Sequence, residues 1–234
     1  MARAGQGGPR AAGQGEEEAA EATQEGGEEV TGLFIVFEGG DRTGKSTQVR
    51  RLQAWLAEQG RPHIVTRQPG GTELGATLRR LVLDPASGDV DHRAEALMYA
   101  ADKAQHVHEV IRPALGRDEV VVCDRFVDSM IAYQGAGRNL ALDEVGDIAW
   151  WAVGGLRPDL TILLDANPDE AVSIKQHKDR LESAGLDFHR RVRQHFLDLA
   201  AQRPEEYFVM KAFSGRDQMA AQIAARVAPL LDPG

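Results

Sequence analysis

Two spacings of apolar residues alternate along this chain. Continuous apolar runs at 33–37 (LFIVF), 120–123 (VVVC) and 160–164 (LTILL) have the length and composition of strands covered on both faces. Shorter runs at 63–67 (HIVTR) and 207–210 (YFVM) predict two more strands. Between them the spacing turns helical. Val49, Leu52, Trp55 and Leu56 line one predicted face, with Gly60 and Pro62 as stop signals. Leu74, Leu78, Leu81 and Val82 line a helix over 74–83, and Leu97, Ala101, Ala104 and Val107 one over 93–115. Shorter helices are expected over 128–133 and 143–153, a longer one over 186–200 (Phe188, Val192, Phe196, Leu199), and a closing one carrying Met219, Ile223, Val227 and Leu230. Strand alternates with helix throughout. That predicts an α/β fold, a three-layer α/β/α sandwich around a parallel sheet, with ligands at the C-terminal ends of the strands.

Composition separates the first 30 residues from the rest. They are Gly, Ala, Glu and Gln with few large apolar side chains, and cannot bury enough surface to offset the entropy of ordering, so a disordered acidic tail is expected over 1–30 and one folded domain over 31–234. The formal net charge is -9. Seven glutamates against Arg3 and Arg10 give the tail -5, which leaves -4 for the body. A mildly acidic body argues against duplex nucleic acid as a partner. The tail fits neither a secretory signal nor a transit peptide, and no apolar run approaches bilayer length, so no membrane partner and a cytoplasmic location are expected. The single cysteine, Cys123, excludes a disulfide framework and a Cys-based metal cluster. No histidine pairs with other ligands at metal-site spacing; His106, in AADKAQH, is the one kept as a candidate.

The first strand runs into FEGGDRTGKST, which fits the phosphate-loop pattern GxxxxGK[ST] with Gly39, Gly44, Lys45 and Ser46, followed by Thr47. Glycine at 39 and 44 lets the backbone turn its N–H groups around phosphate oxygens. Lys45 supplies a mobile ammonium, Ser46 a hydroxyl for Mg²⁺, and the helix that follows aims its positive end at the same place. A strand before the loop and a helix after it are the context the pattern needs. Asp124, at the end of the 120–123 run, stands where a strand-end carboxylate supports a phosphate-bound metal. Residues 168–182 are polar and contain Lys175, Lys178 and Arg180, and read as a lid over the phosphates. No NKxD segment offers a guanine reader.

Together with TRQPGGT (66–72), MYAADKAQHV (98–107), CDRFVDSMIAYQGAGR (123–138), RPDLTILLD (157–165) and DRLE (179–182), the loop resembles the thymidylate kinase family, in family order and over nearly everything after residue 32. The resemblance implies a phosphate-loop nucleotide kinase that moves the ATP γ-phosphoryl to the 5′-phosphate of a pyrimidine deoxynucleoside monophosphate, with Mg²⁺, as a homodimer. It assigns the outer phosphates to Lys45, transition-state charge to Arg42, the sugar 3′-hydroxyl to Asp41, and the acceptor phosphate to Arg79 and Arg125. Ser46 and Asp124 would hold Mg²⁺, the latter through water. Tyr99 would stack on the base, Tyr133 would crowd the 2′ position, and Lys103, Ser129 and Gln134 would complete the acceptor site. Tyr99 also fits an ordinary core position, and Arg79 and Arg125 ordinary surface arginines.

Four positions depart from the family pattern. Gln68 stands for a glutamate, Lys103 for an arginine, Met130 for a small polar residue, and Ile174 for a lid arginine. An arginine at a phosphoryl transition state is worth roughly 10³ to 10⁵ in rate, and Arg42 offers the compensation. Three departures fall on the acceptor side. They open two alternatives, a kinase for a different or 5-modified pyrimidine deoxynucleotide and a weakly catalytic nucleotide-binding module.

Overall fold

The computed structural model describes residues 31–171, 180–181 and 183–231. The expected tail, most of the expected lid with Lys175 and Lys178, and Ile174 lie outside them. Five parallel strands, β1 (Phe34–Gly39), β2 (His63–Arg67), β3 (Val120–Asp124), β4 (Leu160–Asp165) and β5 (Tyr207–Lys211), form one sheet in the order β2-β3-β1-β4-β5. The three continuous apolar runs are its three inner strands. Alternate residues feed two cores: Ile35, Phe37, Val122 and Ile162 pack with helices α1 (Lys45–Glu58) and α9 (Arg216–Leu231), while Phe34, Val36, Val121 and Leu163 pack beneath the helices of the other face. The register sets Phe37 beside Asp124 and Gly39 beside Leu164, so the phosphate loop leaves the sheet next to the end of β3.

Helices α2 (Glu73–Leu83) and α3 (His92–His106) form where the spacing predicts, but only part of each predicted stripe is buried: Val82 and Val107 reach the core, and Leu74, Leu81 and Leu97 do not. Leu74, Leu81 and Leu97 are 48%, 47% and 56% exposed. The inward face of α3 is instead Ala96, Tyr99, Ala100 and the polar Glu95, Asp102, Lys103 and His106. The predicted apolar face overlaps the buried one only in part. The long helix expected over 93–115 is interrupted by a π-helical turn at Val107–Ile111 before α4 (Arg112–Leu115). A second π-helical turn, Ile131–Gly137, follows α5 (Val127–Met130) and carries Tyr133 and Gln134. Helix α6 (Leu142–Ala152), a short α7 (Pro168–Ala171) and α8 (Leu186–Gln202) complete the layers.

Candidate active site

Helix α1 begins at Gly44 (φ 96°) with no capping side chain, whereas Thr72 caps α2 and Asp91 caps α3. The amides at its start thus have no side-chain cap. Lys45 Nζ donates to the carbonyl oxygens of Gly39 (3.0 Å) and Gly40 (2.6 Å). Burial first, and Arg125 second, lower its pKa to about 8 against the opposing pull of Asp124, Asp41 and Glu38. Around it, Asp41, Arg42, Gly44, Ser46, Thr47, Arg67, Arg79, Asp124 and Arg125 line a polar cleft. Asp124 Oδ1 is buried without a hydrogen-bond partner. Among the described residues no group of three His, Cys, Asp or Glu could hold a metal, so any cation here would rest on Asp124, the Ser46 hydroxyl and ligand oxygens. That donor set suits Mg²⁺, which keeps waters and phosphate oxygens among its ligands.

Arg125 lies at the boundary between this cleft and a second one. Its Nη1 donates to Gly39 O and Ser129 Oγ, both at 3.0 Å, and its Nη2 to Asp41 Oδ1 at 2.5 Å. The Tyr133 hydroxyl donates to the other Asp41 oxygen at 3.0 Å, and the guanidinium stacks 5.0 Å from the Tyr133 ring centroid. Burial alone would raise the Asp41 carboxyl, but Arg125, Lys45 and the Tyr133 hydroxyl outweigh it and hold it below its ordinary value. Glu38, on β1, accepts from the Phe126 and Ser129 amides and from the Ser129 hydroxyl.

The second cleft is lined by Pro69, Leu83, Tyr99, Lys103, Ser129, Met130, Tyr133, Gln134 and Leu181, and shares Asp41, Gln68, Arg79 and Arg125 with the first. Two of the departures meet inside it. Lys103 Nζ donates to Gln68 Oε1 and to Phe126 O, both at 2.8 Å. Gln68 Nε2 lies 2.9 Å from His106 Nδ1, and His106 Nε2 lies 2.6 Å from Thr66 Oγ1. With Gln68 Oε1 turned to the ammonium, its NH₂ donates to Nδ1, so His106 is neutral and carries its proton on Nε2. Burial, and Lys103 beside it, lower its pKa to about 4. His106 is therefore a buried relay between Gln68 and Thr66.

Gln134 is fixed from behind. Its Nε2 donates to Glu95 Oε1 at 3.2 Å, and Glu95, fully buried, also accepts a two-pronged contact from Arg138 (3.1 Å each) and one from Arg180 (3.1 Å). Arg180, expected over the phosphates, instead lies on the acceptor side, where its Nη1 donates to Glu95 Oε2 (3.1 Å) and the Val82 carbonyl (3.0 Å). Sequence reasoning missed Glu38, Glu95 and Arg138. In sequence each has the look of a solvated charge, and each finds its partner through chain reversal.

The sequence-predicted residues thus meet in two adjoining clefts, with Gly39 beneath as the carbonyl that receives both Lys45 and Arg125. A family model described as thymidylate kinase matches residues 37–223. The chain belongs to the thymidylate kinase family. A thymidylate kinase of Cutibacterium acnes is 57% identical over 86% of this chain and 98% of its own length, and one of Deinococcus radiodurans is 49% identical over 84% and 96%. The crystal structure of thymidylate kinase from Ehrlichia chaffeensis superposes with a TM-score of 0.70 at 28% identity, covering 84% of this chain and 98% of that one. The five-stranded parallel sheet with its phosphate loop is this family's architecture. No helix of the described residues is long and apolar enough to cross a membrane.

Proposed function

We propose that this thymidylate kinase family member transfers the γ-phosphoryl of ATP to the 5′-phosphate of dTMP, giving ADP and dTDP, in the cytoplasm. One observation carries the reading: the phosphate-loop cleft and the cleft over Tyr99 share Asp41, Gln68, Arg79 and Arg125 at their junction. An acceptor phosphate gripped there by Arg79 and Arg125 faces the terminal phosphate held by Lys45 and the loop amides. The charge that spreads over the transferring group is met by Lys45, Arg42 and Arg125, which line the phosphate-loop cleft. Asp124 and the Ser46 hydroxyl would hold Mg²⁺, which supplies neutralisation of the phosphate oxygens.

Base selection follows from donors and acceptors. Lys103 can only donate, which suits a 4-oxo group and not a 4-amino group. Gln134 gives its NH₂ to Glu95, so its carbonyl is the atom left for the base, and it suits the N3–H of thymine or uracil and not the bare N3 of cytosine. Tyr99 stacks on the ring. Pro69, Leu83, Met130 and Leu181 offer an apolar wall, on which a methyl group loses nothing and a hydroxymethyl group loses a hydrogen bond. Asp41 takes the 3′-hydroxyl, and Tyr133, held by Asp41, crowds the 2′ position. A second copy covers the face that carries Leu74, Leu81 and Leu97, making a homodimer. With γ-labelled ATP, Mg²⁺ and dTMP, label is expected in dTDP; ATP binding without label transfer would overturn the kinase reading in favour of a nucleotide-binding module.

A further inference from the structure

Arg125 holds a backbone conformation that a non-glycine residue rarely takes, with φ at 72°. The left-handed region is unfavourable for an L-residue, so something must hold it there. Three consecutive residues of β1 do. Phe37 O accepts the Arg125 amide at 2.9 Å, Glu38 Oε1 accepts the Phe126 amide at 2.8 Å, and Gly39 O accepts Arg125 Nη1 at 3.0 Å. Glu38 has no accessible surface, and a carboxylate so placed is tolerated only when its lone pairs are filled. All its bonds go to one segment: the Phe126 and Ser129 amides on Oε1 and the Ser129 hydroxyl on Oε2.

The Ser129 hydroxyl has a single proton, and it is donated in the hydrogen bond to Glu38 Oε2. What remains on Ser129 Oγ is a lone pair directed at Arg125 Nη1, 3.0 Å away, which can only donate. We infer that Glu38 is the positioning residue for the acceptor-phosphate arginine, fixing the backbone after Arg125 and the polarity of the Ser129 hydroxyl so that the guanidinium is aimed before substrate arrives. This rests on the reading of Arg125 as the ligand of the acceptor phosphate. Glu38 itself touches no substrate.

Glu38→Gln separates the two parts of this role. The amide keeps an oxygen for the two backbone N–H groups but sets an NH₂ against the Ser129 hydroxyl, reversing its polarity. We expect it to melt close to wild type, to leave the KM for ATP unchanged, and to lower kcat/KM for dTMP by roughly tenfold to a hundredfold, the worth of one charge-assisted hydrogen bond. Ser129→Ala should lose a similar factor, and the double variant little more than either alone. Wild-type dTMP kinetics in Glu38→Gln, or losses that multiply in the double variant, would overturn the inference. If Glu38→Gln does not fold, Ser129→Ala decides: dTMP kinetics equal to wild type would sink the relay, and a selective loss would support it. Arg125→Ala distinguishes the levels. Its failure to affect dTMP kinetics removes the underlying reading, whereas a large loss there beside an unaffected Glu38→Gln removes only the role of Glu38.

Discussion

A lone glutamine in place of a glutamate looks like a lost charge, and a lysine in place of an arginine like a lost fork of donors. In the folded chain Gln68 and Lys103 are one contact, and the exchange reads as a matched pair: the neutral amide bonds the ammonium on one side and the lone pair of a neutral His106 on the other. His106 carries a consequence for stability. Its folded pKa of about 4 lies below the ordinary 6.5, so as pH falls the unfolded chain takes the proton first. The contribution is fully present above pH 6.5 and is lost between pH 6.5 and 4, by about 3 kcal/mol at most. Urea unfolding of wild type and His106→Asn across that range should show the wild type falling more steeply; parallel pH profiles would contradict the neutral, buried assignment. Lys45, Ser46 and Asp124 were legible because a phosphate loop and a strand end are local patterns. Glu38 was not: its partners Phe126 and Ser129 lie 88 and 91 positions on, and nothing near residue 38 announces them.

At the scale of elements, the strands were legible because both faces of the inner ones are buried, which leaves an unbroken apolar run. The helices were harder. The stripe of Leu97, Ala101 and Ala104 on α3 has a core-like spacing, yet the buried side carries Glu95, Lys103 and His106, because the acceptor cleft claims that side. Periodicity reports an apolar face without saying what covers it. The π-helical turn at Ile131–Gly137 had no sequence signature; it is packed so closely that a Cβ on Gly137 would come within 2.5 Å of the Phe188 ring, whose edge packs against Tyr133. The outward leucines yield a prediction for the proposed homodimer. Wild type should sediment as twice 25.5 kDa, and Leu97→Glu, which places a charge on an exposed apolar position, should weaken association roughly a hundredfold or more while leaving the fold intact. A wild-type chain that sediments as a monomer would remove the second copy from the account.

For the whole molecule, the strand and helix alternation specified a parallel sheet, and the sheet order β2-β3-β1-β4-β5 brings the ends of β1, β2 and β3 together. That places the phosphate loop, Arg67 and Asp124 on one rim, with the acceptor cleft walled by the helices of one face. This arrangement, with Gln68, Lys103 and Met130 in it, is expected still to select thymidylate. The direct measurement is kcat/KM by coupled ADP release with ATP and Mg²⁺ for dTMP, dUMP, 5-hydroxymethyl-dUMP, UMP and dCMP. The expected order is dTMP first, dUMP and the hydroxymethyl analogue lower, UMP lower still through Tyr133, and dCMP weakest, its 4-amino group and bare N3 opposing Lys103 and Gln134. Turnover of dCMP or of the hydroxymethyl analogue at or above the level of dTMP would contradict it.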